Sequence, residues 1–149
     1  MTIPEIVIGS EASEHIAIAV TRREFPESTD YWDGNWVYAT VRIRVGAFRG
    51  EYEAQLRTDE IAHLRSGLVH LHAELSGNAS FESMEEWLKM SIEGDGRGHF
   101  VAKCEARDQP GTGNTLRFEL RFDQTELPPV IAALDAVLAA FPVKGAPTG

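Results

Sequence analysis

The run "WVYATVRIRV", residues 36 to 45, alternates without interruption. Val37, Ala39, Val41, Ile43 and Val45 fall on one face, and Trp36, Tyr38, Thr40, Arg42 and Arg44 on the other. A period of two over ten residues fits a half-buried strand and does not fit a helix. Ile16, Ile18 and Val20 mark a strand before it. Tyr52, Ala54 and Leu56 mark one after it, across the turn-prone stretch Gly46 to Gly50. These make an antiparallel meander, with a short strand at Ile6 to Ile8 ahead of it.

The period changes at Thr58, which is a good N-cap with Asp59 and Glu60 behind it. Ile61, Leu64, Leu68, Leu71 and Leu75 recur at spacings of three and four, as in an amphipathic helix, and Gly77 is a natural stop. Alternation then returns at Leu88, Met90 and Ile92, at Phe100, Ala102 and Cys104, and at Leu116, Phe118, Leu120 and Phe122. These three strands are joined by the turns "GDGRG" and "PGTGN". A second helix is expected from about Thr125, with Pro128 and Pro129 in its first turn and a stripe of Leu127, Ile131, Leu134, Leu138 and Phe141.

Links this short join antiparallel neighbours. The expected fold class is therefore α+β: one antiparallel sheet of about six to seven strands with two helices on its apolar face. At 149 residues and 43% hydrophobic composition, residues 1–142 suit a single domain with a core of its own, and 143–149 read as a flexible tail.

Acidic residues outnumber basic ones by 23 to 14, for a net charge of −9. Such a surface repels nucleic acid and anionic lipid and attracts a basic partner. Cys104 is the only cysteine, so neither an intramolecular disulfide nor a cysteine zinc cluster can form. The opening residues MTIPEIVIGSEASEH show no basic and apolar signal, and the apolar run VIAALDAVLAAF is short and carries Asp135. A cytoplasmic location is expected.

No arrangement of residues spells out catalysis. His63, His70 and Glu74 share a helix flank, but two helical turns separate the histidines by about 10 Å, too far for one ion. A solvated flank is the simpler reading. "GDGRG" is followed by a strand, so it lacks the helix N-terminus that a phosphate loop requires. No serine sits in a G-x-S-x-G elbow, and Cys104 points inward with Phe100 and Ala102. No cofactor, metal set or catalytic residue is expected.

The aromatics are the remaining feature. "DYWDGNWVY" crowds Tyr31, Trp32, Trp36 and Tyr38 between Asp30 and Asp33, in a chain only 9% aromatic. Asp30 and Asp33 lie too close in sequence to span a glycosidase cleft, and Asp33-Gly34 reads as turn chemistry. Two readings stand. The rings cover the outer sheet face or pack under their loop with arginine stems across them, or they form a rigid patch rimmed by charge, suited to binding protein.

Most of the chain, and its second half most specifically, resembles the WapI-type immunity proteins, the partners of bacterial polymorphic toxins. The resemblance rests on the L-x-G-x-A-x-F segment at Leu75 to Phe81, the acid before an apolar strand at Glu85 to Met90, Gly98-His99 opening the next strand, and D-Q-T-x-L at Asp123 to Leu127. It implies a non-enzymatic α+β domain that binds and neutralises a toxin made by the same cell. Asp30, Tyr31, Trp32, Asp33, Trp36 and Tyr38 are then the candidate binding residues. The alternative is a small-ligand binder or enzyme with a pocket between sheet and helices. Convergent His, Asp or Arg in a deep pocket would favour that alternative, and a solid core with an exposed aromatic patch would favour the first.

Overall fold

Alternating apolar positions give each strand one face to bury, and the computed structural model, which describes residues 2–147, shows what those faces meet. The strands β1 (Ile6–Gly9), β2 (His15–Arg23), β3 (Trp36–Val45) and β4 (Phe48–Arg57) form one antiparallel sheet in chain order, with a single helical turn α1 (Tyr31–Gly34) between β2 and β3. Helix α2 (Thr58–Glu74) follows without a linker. A second sheet repeats the pattern with β5 (Ser76–Glu82), β6 (Leu88–Asp95), β7 (His99–Arg107) and β8 (Thr115–Asp123), closed by a 3-10 turn and α3 (Leu127–Ala140).

The α+β class and antiparallel pairing stand, but the single sheet does not: the described residues form two four-stranded sheets and three helices. Alternation assigns a buried face to each strand and says nothing of its neighbours. Here α2 lies between the meanders, β4 pairs only with β3, and β5 pairs only with β6. The additional strand, β5, reads SGNASFE and turns only Ala79 and Phe81 into the core.

Both inner faces and both long helices share one apolar core. Ile16, Ile18, Val41 and Leu56 from the first sheet join Phe81, Met90, Ile92 and Phe100 from the second. Helix α2 adds Ile61, Leu64, Leu68 and Leu71, the stripe expected of it. Helix α3 is rotated from expectation: Leu127, Val130, Leu134 and Val137 are buried, while Ile131, Leu138 and Phe141 lie at the margin. Tyr52 ties the sheets together, stacking on Trp87 at 6.1 Å and donating its hydroxyl to the Trp87 carbonyl at 2.7 Å.

The ends of α2 differ from expectation as well. Arg57 occupies the N-cap position and Thr58 is already helical, because the Thr58 hydroxyl donates to the buried Asn35 Oδ1 at 2.9 Å. The stop is Leu75, at φ +63, and Gly77 belongs to β5. The strained Leu75 keeps its carbonyl bonded to the Gly96 N–H at 2.9 Å, against Gly94, where a Cβ would come within 2.4 Å of that oxygen. Among the described residues, no helix is long and apolar enough to cross a membrane.

Candidate functional site

The two-residue turn Gly46–Ala47 sets an unbroken β3–β4 register from Val45 opposite Phe48 to Trp36 opposite Arg57. The aromatic segment precedes β3 and folds over that last pair. Asp30 starts it: its carboxylate accepts from the N–H groups of Trp32 and Asp33 at 3.0 and 3.1 Å, capping α1. Asp33-Gly34 is therefore the end of a helical turn and not a separate β-turn. Gly34 fits there because a Cβ would press on the Ser28 carbonyl at 3.0 Å.

Arg57 organises the segment, although no motif singles it out. Its side chain has no solvent exposure. The guanidinium donates to Asp59 Oδ1 at 2.9 Å, to the Trp32 carbonyl at 2.6 Å and to the Tyr31 carbonyl at 2.9 Å. Its Cζ lies 5.1 Å from the Tyr31 ring, 5.3 Å from Trp32 and 5.1 Å from Trp36. A buried cation is costly unless paired and hydrogen-bonded; here a carboxylate, two carbonyls and three ring faces compensate it. Burial and then the Asp59 carboxylate hold the Tyr31 phenol above its ordinary range, so it stays protonated.

Asn35 locks the arrangement from below. It is buried, and all its polar capacity is used: Nδ2 donates to the carbonyls of Tyr31 and Lys144, each at 2.9 Å, while Oδ1 accepts from the Thr58 hydroxyl and from the Lys144 N–H at 2.8 Å. The Lys144 ammonium donates to the Pro26 and Ser28 carbonyls. Lys144 lies within the stretch 143–149 expected to fray, and these bonds dock it onto the aromatic segment.

The six residues picked out by sequence thus come together at one end of the first sheet, in different roles. Trp32 is 50% exposed and stands edge-on to Tyr31 at 5.0 Å. Tyr31, Trp36 and Tyr38 are half-buried, and Asp30 and Asp33 are exposed. Tyr38 lies apart from the Arg57 cluster, under Arg22 at 3.9 Å, with its hydroxyl on Glu24. The rings pack around the buried Arg57, and Trp32 keeps an exposed face. The apolar Phe25 and Val143 are also exposed, and Lys144, next to Val143, ties that stretch to the loop after Phe25.

Sequence reasoning passed over Arg57, Asn35 and Lys144. A signal for Arg57 was present, since the hairpin register carried back from Gly46–Ala47 sets Arg57 opposite Trp36. Nothing comparable marks the pairing of Asn35 with Lys144. Elsewhere, His63, His70 and Glu74 are exposed on the α2 flank. Among the described residues, no three His, Cys, Asp or Glu side chains gather as a metal set. Burial pushes the Cys104 thiol up to about 12, where it is not a nucleophile.

The family described as immunity protein WapI-like matches residues 7–142. None of the curated proteins matches. A solved structure described as crystal structures of Trypanosoma bruciei MRP1/MRP2 is similar at 14% identity, over 91% of this chain and 83% of that one, with a TM-score of 0.48.

Proposed function

Because this chain belongs to the immunity protein WapI-like family, we propose that it is an immunity protein: a non-enzymatic domain that binds a cognate bacterial toxin in the cytoplasm and neutralises it. The family match is the observation that carries this reading. Two features of the molecule support it over a small-ligand binder or enzyme. The space between sheets and helices is filled by apolar side chains, and the open grooves lie on outer sheet faces and beside β4.

The proposed contact surface is the aromatic loop, with Trp32 as anchor, Tyr31, Trp36 and Tyr38 beside it, and Asp30 and Asp33 as its charged rim. An interface anchor contributes most when it is already rigid before binding. Trp32 meets that condition through the Asp30 cap and the bond from Arg57 to its carbonyl. The net charge of −9 suits a basic toxin such as a nuclease, whose encounter it would accelerate.

The test is co-expression with a candidate toxin domain chosen from the genes that neighbour this one. The intact protein should restore growth and bind the purified toxin domain in calorimetry. Growth arrest with the protein present, together with absence of binding, would overturn the reading.

A further inference from the structure

Sheet edges attract other strands unless they are covered or blunted. Here β1 packs beside β8 and α3, and β5 packs against α2. Strand β4 is bonded on one side only, to β3. Over Phe48 to Glu53 it carries neither proline nor bulge, and Phe48, Arg49, Glu51 and Glu53 are exposed.

The sequence of that edge, Phe48-Arg49-Gly50-Glu51-Tyr52, is complementary to its own reverse. Turned about Gly50, Phe48 meets Tyr52, and Arg49 meets Glu51. The backbone has the matching phase. The two-residue turn makes Val45 and Phe48 a hydrogen-bonded pair, so along β4 the groups pointing outward are those of Arg49, Glu51 and Glu53.

We propose that this edge is a docking surface for a second copy of the chain, joined antiparallel through β4 about a two-fold axis at Gly50, giving one continuous eight-stranded sheet. Three features of the lone chain are accounted for at once. Arg49 faces Arg44 as its cross-strand partner, a repulsive arrangement, and neither forms an ion pair among the described residues. In the dimer the second copy's Glu51 comes opposite Arg49. Phe48, 64% exposed, lands opposite the second copy's Tyr52, over a cleft of about 310 Å³ lined by Ala106 and Leu116. A Cβ at Gly50 would meet nothing within 4 Å, and the diagonal Phe48 of the second copy covers that space.

Sedimentation equilibrium over rising protein concentration tests the proposal. The wild type should shift from monomer to dimer. Arg49→Glu and Glu51→Arg should each weaken association by about tenfold or more, and the two changes together should restore it, since the cross-copy pairs re-form with their signs exchanged. Arg49→Glu faces Arg44 within its own copy, so its fold is retained, as a melting curve will show. Phe48→Ser, at an exposed position, should weaken the dimer independently. A monomer at every concentration, a dimer indifferent to these changes, or a double variant no better than the single ones would each overturn the proposal.

Discussion

Trp36 and Arg57 are cross-strand partners at the end of the β3–β4 ladder, and the Arg57 Cζ lies 5.1 Å from the centre of the Trp36 ring. The ring closes one side of the compartment holding the guanidinium. Replacing Arg57 by alanine strands the Asp59 carboxylate and two carbonyls, and should lower stability by about 3–5 kcal/mol. Arg57→Lys should recover little, because the three acceptors are met by three different nitrogens of the planar guanidinium and a single ammonium nitrogen does not reach them all. Urea unfolding measures both. A loss under about 1 kcal/mol for alanine would mean that the cluster contributes no stability.

Trp32 and Trp36 should separate cleanly when each is changed to alanine. Loss of Trp32, half exposed, should weaken toxin binding by roughly thirtyfold while costing less than about 1 kcal/mol of stability. Loss of Trp36 should cost about 2–4 kcal/mol. Asp33→Asn should slow association at low salt only. Melting temperature and affinity, read on the same variants, decide the matter. Unchanged affinity in Trp32→Ala would remove the loop from the interface.

Asn35→Ala leaves the Tyr31 carbonyl, the Thr58 hydroxyl and both Lys144 backbone groups without a shared partner. It should cost about 2–4 kcal/mol. Deleting residues 143–149 removes two of the four bonds to Asn35 and should cost less, about 1–2 kcal/mol. The pair of variants, compared by chemical denaturation, should be less than additive. Full additivity would show that Asn35 and Lys144 act separately.

Glu60 should make stability depend on pH. Its carboxylate accepts from the N–H groups of Arg57 at 2.9 Å and Met84 at 2.7 Å, yet burial pushes it up to about 7 from an ordinary 4.5. Between those values the folded chain holds a proton that the unfolded chain releases. The favourable contribution is complete below 4.5 and is lost as the pH rises through 7. Wild-type stability measured relative to Glu60→Gln, whose neutral amide stands in for the protonated carboxyl and does not titrate, should therefore fall as the pH rises from 4.5 to above 7. A wild type that gains stability on the variant as the pH rises would show that the two N–H bonds outweigh burial.

The strands from Ile16 to Leu56 and the α2 stripe were legible because alternation and helical spacing report burial directly. Strand β5 was not, since Ala79 and Phe81 are too few to establish a period and Gly77 looks like a helix stop. The split into two sheets is not legible either, because a period fixes which side of a strand is buried and leaves its neighbours open. The aromatic cluster was visible as composition. Its cause was not: Arg57 reads as an ordinary strand end until the hairpin register is followed back to Trp36, and Lys144 reads as tail.

The bonds between Asn35 and Lys144 also set a timetable for biosynthesis. A chain leaving the ribosome presents Asn35 and the aromatic turn early, while the residue that supplies half of the partners of Asn35 emerges 109 positions later. Until then the meander can form, but the loop around Arg57 lacks its final fastening. If that loop is the binding surface, protection of the cell begins only once Lys144 has been made and not with the first folded half.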